Sequence, residues 1–267
     1  MRIEIGFQMG FSVPAPTPMM LQLHVYPYRY PFVRQERLSF TPGTPSETFL
    51  DMFGNAVTRL VAPAGVFTIA CDAQVQTTDM PDLVDINAMQ VPINQLPYDV
   101  LRYLVASRYC EIDQLSDFAW KTFGLGPTGY LRVQAVCNWV HNHIRFGYQY
   151  ARSTKTAYDA FSEQQGVCRD FAHLAITLCR CLGFPARYAT GYLGDIGVPA
   201  DPSPMDFSAW FEVYLSSGWY TFDARHNHPR QGRILMAYGR DAAETALTTS
   251  YGPTLLQQFT VVSNLVS

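Results

Sequence analysis

The chain has little charge and no long apolar run. Asp, Glu, Lys and Arg make up 15% of its 267 residues, and 19 Lys+Arg against 22 Asp+Glu leave a formal net charge of -3. The basic residues are scattered, so the sequence lacks the basic patch that a nucleic-acid or anionic-membrane partner requires. No segment offers the ~20 uninterrupted apolar residues that span a bilayer. The N-terminal "MRIEIGFQMG" alternates polar and apolar residues where a secretory leader would carry a continuous apolar core. Neither HExxH nor CxxC occurs, so a catalytic metal is not expected, and nothing points to another cofactor. The cysteines, at 71, 110, 137, 168, 179 and 181, have the spacing of neither a zinc cage nor a disulfide framework. These absences predict a reduced, cytoplasmic protein with no nucleic-acid or membrane partner. A homo-oligomer is compatible with them.

What is present is apolar mass. Hydrophobic residues are 48% of the chain and aromatics 14%, enough to bury one large core or two. The first ~90 residues alternate with period two: Ile3, Ile5, Phe7 and Met9 line one face, Leu21, Leu23 and Val25 another, and Phe67, Ile69, Cys71, Ala73 and Val75 a third. Turn sequences such as "TPGTP" and "FGN" separate them. Short alternating strands of this kind predict a β-sandwich. After Met80-Pro81 the pattern turns helical, with helices expected over Tyr98 to Ser107, Asp113 to Phe123, and Thr128 to His143. Val133, Val136, Val140 and Ile144 form the apolar stripe of the last. A further helix runs from Cys168 to Gly183, with Pro185 beyond it as a stop. The strands "ARYATGYL", "FSAWFEVYL", "WYTFDA", "RILMAY" and "FTVVSNLV" follow. Helices first and strands after predict an α+β fold, divided as an N-terminal β-sandwich over 1–90 and a core domain over 91–267.

Cys168 stands at the start of its helix. On a wheel of ~100° per residue, Phe171, Ala172, Ala175, Cys179 and Leu182 share its side, while Arg169, His173, Thr177 and Arg180 form a polar side. A buried free cysteine behaves as a small hydrophobe, and Cys179 and Cys181 read that way. At a helix start, free N–H groups and the positive end of the dipole favour a thiolate and lower its pKa. The same groups can receive an oxyanion. Gly166 would leave room for a substrate backbone.

The blocks "GVCRDFAHLAITLCRCLGFPARYATGYL", "SAWFEVYL" and "WYTFDAR" resemble, in that order, the transglutaminase-like superfamily of cysteine acyltransferases and proteases. The resemblance runs from about Leu131 to about Arg240. The N-terminal strands, with "ETFLDMFGNAVTRL", are similar to the β-rich domain that precedes this core in bacterial members. The likeness implies a papain-like core of helices packed on an antiparallel sheet. It also implies a Cys-His-Asp triad acting on peptide or protein amides, by hydrolysis or acyl transfer. Carried over position by position, Cys168 is the nucleophile and Asp223 the aspartate, but the histidine position holds Ser208. A serine hydroxyl can hydrogen-bond but does not titrate near neutral pH, so it cannot serve as the base.

A base must then come from another histidine. His173 lies ~140° round the helix from Cys168 and more than a turn away. His141 and His143 point to different sides of their helix and make no metal pair. His226 reaches the site only if the chain bends after Asp223, and Asn227 and Pro229 make a bend plausible. A two-residue Ser217-Gly218 turn would set Asp223 opposite Glu212, with Ser208, Trp210 and Glu212 on the same face. A three-residue loop would reverse that relation. Trp210, like Trp139, is either core or the border of a substrate groove. Arg225 is a candidate salt-bridge partner for Asp223. Three functions stay open on the residues: a thiol-dependent amide enzyme, a catalytically degenerate binding or scaffold protein, and recognition of a protein or glycan by the tyrosine-rich "HVYPYRYPF".

Overall fold

A computed structural model of the protein describes residues 1–27, 29–216 and 218–266. The alternating N-terminal segments become β1 (Arg2–Val13), β2 (Thr17–Leu21), β3 (Phe32–Thr41), β4 (Ser46–Leu50), β5 (Ala56–Ala62) and β6 (Gly65–Gln76). On β1 the apolar set Ile3, Ile5, Phe7 and Met9 is buried, and Arg2, Glu4 and Gln8 face solvent. The helical region contributes α1 (Ile112–Phe123), α2 (Tyr130–His143), the short β7 (Arg145–Phe146), α3 (Ala157–Glu163), β8 (Gln165–Gly166) and α4 (Cys168–Cys181). Then come β9 (Ala186–Leu193), β10 (Ser208–Leu215), β11 (Gly218–Phe222), β12 (Arg233–Gly239), β13 (Thr248–Ser250) and β14 (Leu255–Val266). The α+β expectation holds.

The core sheet, ordered β11-β10-β9-β12, is antiparallel and buried on both faces. Ala209, Phe211, Val213 and Leu215 of β10, with Tyr220 and Phe222 of β11, pack on Phe171, Leu174 and Leu178 of α4. The opposite face carries Ala189, Trp210, Leu235 and Tyr238, packed against Tyr26 and Tyr30, while Tyr192, Ile234 and Met236 join Ile3, Ile5, Phe67 and Ile69 of the N-terminal strands. Two-sided burial explains why these core strands read as continuous apolar runs rather than alternating ones.

Chain order and layering part company at the C-terminus. β14, grouped with the core in the sequence reading, pairs with β1 in the sheet β14-β1-β6-β3. β13 pairs with β2 in β13-β2-β5-β4. The helix expected over Tyr98–Ser107 is a single 3-10 turn, Leu101–Tyr103. Here tertiary packing overrides propensity: Leu96, Val100 and Tyr103 form a small cluster of their own, and Tyr103 meets Trp219 edge-on at 5.3 Å. Helix α4 also departs from the amphipathic reading, because its polar side is buried. Arg180 donates to the carbonyls of Val105 and Ala186 (3.1 and 3.0 Å), and His173 accepts the Ala242 N–H at Nε2 (3.1 Å) between the rings of Tyr109 and Tyr188. Flanking segments pair Arg180 and His173 Nε2 and so make their burial tolerable, while His173 Nδ1 is buried without a hydrogen-bond partner among the described residues. Tyr28, inside the tyrosine-rich stretch, lies outside the described residues.

Candidate active site

Cys168 is the first residue of α4. Parallel pairing of Phe146 with Gly166 brings the chain to it, and Asp170 Oδ2 accepts the Val167 N–H at 2.9 Å, fixing the helix start. Gly166 does not open the site to a substrate backbone as expected. A Cβ there would lie 2.7 Å from the Asp170 side chain, so the missing side chain makes room for the cap. Cys168 is half-buried. Arg225, Asp206, Asp223 and the Ala209 backbone N–H act on its sulfur. Burial pushes the thiol up to about 11, against the opposing pull of Arg225 and the Ala209 N–H. The expectation that the helix end lowers this pKa is therefore reversed. Desolvation is the largest influence on the sulfur, and it favours the protonated thiol.

The turn after Asp223 bends as His226 would require. Asn227 adopts a left-handed φ of 55°, and its N–H closes on the Asp223 carbonyl at 2.7 Å. Asp223 Oδ1 accepts the N–H groups of Arg225 and His226 at 3.0 and 3.1 Å. Its Oδ2 takes His226 Nδ1 at 2.8 Å and Arg233 Nη2 at 2.9 Å. Among the described residues, His226 Nε2 has no protein partner, and no hydrogen bond joins it to Cys168. His226 lines a cleft of about 440 Å³ with Tyr148, Asp206, Ser208 and Arg225. Arg225 reaches Asp223 only through its backbone, and the ion pair foreseen for it belongs to Arg233.

The turn is held from α2. His141 Nδ1 meets the carbonyls of Ala224 and Arg225 at 3.1 and 2.9 Å. Gln134 donates to Asn227 Oδ1, and Asn227 donates to Asn138 Oδ1, both at 2.9 Å. Residues 134, 138 and 141 are one helical stripe at i, i+4 and i+7. That spacing was visible in the sequence, although its role was missed. Arg233, ten residues beyond Asp223, carried no local signal.

The β10–β11 hairpin keeps the expected face relation with a different turn. Leu215 pairs with Gly218 and Phe211 with Phe222, so Asp223 follows on towards Trp210 rather than Glu212. Ser217 of the expected turn lies outside the described residues. Because the shift is two residues, side-chain parity is unchanged, and Ser208, Trp210, Glu212 and Asp223 share the face turned away from α4. Ser208 is 7% exposed, at the same cleft as His226. Trp210 is 2% exposed and lies under the Arg233 guanidinium at 5.0 Å. It lines a second cleft of about 550 Å³ with Glu212 and Trp219. Glu212 is committed within the protein: it accepts from Arg187 at 2.6 and 2.9 Å and from the Tyr238 hydroxyl at 2.9 Å. Among the described residues no group of three or more His, Cys, Asp or Glu is arranged to hold a metal ion.

The electrostatics of Asp223 give a test of the dyad. Burial alone would push its carboxyl up, but Arg233 and His226 outweigh it and hold the carboxyl well below the usual carboxylate range. A depressed native pKa contributes stability above the unfolded value of about 3.9, and that stability is lost as pH falls below it. Asp223→Asn should lower the urea midpoint at pH 7, and the gap to wild type should close progressively below about pH 4. A gap as wide at pH 2.5 as at pH 7 would contradict the assigned ion pair.

Residues 117–224 match the model of the "Transglutaminase-like superfamily". The chain is 23% identical over 225 residues, 79% of its length and 77% of the relative's, to ML0607, an uncharacterized protein of Mycobacterium leprae. It is also similar to a solved structure, a "Putative Cysteine Protease" from Cytophaga hutchinsonii. Identity there is 33%, coverage is 99% of this chain and 90% of that one, and the TM-score is 0.90. No helix among the described residues is long and apolar enough to cross a membrane. The architecture, the position of Cys168 at the start of α4 and these likenesses agree: the chain belongs to the transglutaminase-like superfamily.

Proposed function

We propose that the protein carries out thiol-dependent acyl chemistry on peptide or side-chain amides, with Cys168 as nucleophile and His226 as its base. The observation that carries this reading is the 2.8 Å contact between His226 Nδ1 and Asp223 Oδ2. It reproduces a histidine–aspartate pair at the family's aspartate position, with the imidazole supplied by a turn instead of by position 208. Nδ1–H donates to the carboxylate, which fixes the tautomer and leaves Nε2 to take a proton.

Because the thiol rests protonated, proton transfer and attack belong to one step. His226 Nε2 takes the Sγ proton, directly or through one water, as Sγ bonds to the amide carbon. The first-turn N–H groups of α4 receive the oxyanion. Collapse to the thioester expels the amine, to which the imidazolium returns the proton. Water or a second amine then attacks the thioester and frees the thiol. Pairs of this kind are often apart in the free enzyme and close on substrate, which accommodates the absence of a Cys168–His226 hydrogen bond. Incubation with a nitrophenyl ester should leave an acyl group on Cys168, read by mass spectrometry of the digest. A chain that stays unmodified would overturn the reading. Six free thiols suit a reducing, cytoplasmic setting.

A degenerate binding protein is the second reading. It is favoured by the raised thiol pKa and by the serine at position 208. Ser208→His discriminates between the two. If His226 is the working base, a second imidazole is redundant and amide turnover changes by less than about tenfold, against the 10²–10⁴ typical of a base. Turnover that rises from nothing would show the natural protein to be silent.

A further inference from the structure

Arg225 stands beside the nucleophile without an acidic partner. Its guanidinium carbon lies 3.8 Å from the centre of the Phe146 ring, and Phe146 pairs with Gly166, two residues before Cys168. Among the described residues the Arg225 side chain makes no hydrogen bond and no ion pair. The neighbouring arginines are committed: Arg230 to the Gly194 carbonyl at 2.9 Å and to Asp195 at 3.6 Å, and Arg233 to Asp82 and Asp223, each at 2.9 Å. Stacking on Phe146 occupies one face of the guanidinium and leaves its edge, a planar fork of N–H donors, for an acceptor. Arg225 borders the same cleft as His226 and Ser208. Three acids line that cleft, Asp195, Asp201 and Asp206; none forms an ion pair with Arg225, Asp195 is engaged by Arg230, and burial raises the carboxyl pKa of Asp206, which weakens it as a competing anion.

We propose that Arg225 binds a carboxylate of the acyl donor next to the attacked carbonyl, so that the preferred substrates are amides carrying a free carboxylate at the scissile bond. This rests on Cys168 being the nucleophile. A fork of this geometry matches a carboxylate bidentately, and a chain terminus or an acidic side chain presents the same group.

The test compares alkylation of Cys168 by anionic iodoacetate and neutral iodoacetamide in the full-length wild type, Arg225→Lys and Arg225→Met, read by mass spectrometry. The ratio of the two rates cancels any change in thiol pKa or access. It should be about tenfold higher in wild type than in Arg225→Met, with Arg225→Lys between. In wild type alone, about 1 M salt should erase most of the iodoacetate advantage. Equal ratios in wild type and Arg225→Met, or a salt-insensitive ratio, overturn the role of Arg225 and leave the nucleophile standing. A Cys168 inert to both reagents at pH 10 removes the nucleophile and the inference together. Three peptide amides then separate the sources of the carboxylate: an acidic side chain with a capped terminus, a neutral side chain with a free terminus, and neither. At least one carboxylate-bearing peptide should exceed the neutral one about tenfold in kcat/KM, and the excess should vanish in Arg225→Met.

Discussion

Cys168→Ala should abolish acyl-enzyme formation and lower amide turnover by at least about 10³-fold, the scale on which loss of a nucleophile is felt. The loss cannot be assigned to unfolding. Cys168 is half-buried at the rim of the cluster formed by Phe171, Ala172 and their neighbours. Trimming one sulfur there costs about 1 kcal/mol or less. The α4 cap from Asp170 to Val167 does not involve the sulfur and should persist. Circular dichroism and the thermal midpoint of the variant should therefore match wild type within a few degrees. Residual turnover within tenfold of wild type would move the chemistry to another group.

The second large effect falls on His226. Its ring is part-exposed, and its contacts are to Asp223 through Nδ1 and the backbone. Removing the imidazole takes away the group that accepts the thiol proton and returns it to the leaving amine. Because burial keeps that thiol protonated at neutral pH, no preformed thiolate stands ready to bypass the base. His226→Ala should lower kcat/KM for amides by about 10²–10⁴. Assays at alkaline pH should recover part of the loss, since hydroxide then supplies thiolate directly as pH climbs towards about 11. A variant with the activity of wild type at neutral pH would remove His226 from the mechanism. Ser208→Ala, by contrast, deletes a hydroxyl with no role in proton transfer and should leave turnover within about threefold.

Local pattern carried much of this. Period-two alternation located β1 and β6, because each has one buried face. The strand "ARYATGYL" was legible to the residue, as β9. The start of α4 at Cys168 was also legible, from the glycine before it and the apolar stripe after it. The bend after Asp223 was signalled by Asn227, whose left-handed φ of 55° now accounts for it. What the sequence hid was long-range. Nothing local says that β14 returns to β1, or that Arg233 at the start of β12 pairs with Asp223. The polar side of α4 was legible as polar but not as buried, because a helical wheel cannot show the carbonyls of Val105, Ala186 and Arg240 that surround Arg180. The same blindness inverted the thiol. The helix end and the apolar stripe beside Cys168 were both visible, but their balance at the sulfur was not, and burial sets the direction of the shift. Position 208 holds a serine where the motif has histidine, and the imidazole proposed in its place lies on a turn that the motif does not contain.

The most direct test of the central claim, that His226 and not position 208 supplies the base for Cys168, is the single-turnover rate of Cys168 acylation by an anilide substrate at pH 7. Wild type, His226→Ala and Ser208→Ala should be compared. The account predicts a fall of about 10² or more in His226→Ala and less than about threefold in Ser208→Ala. Equal rates in wild type and His226→Ala, or a loss confined to Ser208→Ala, would contradict it.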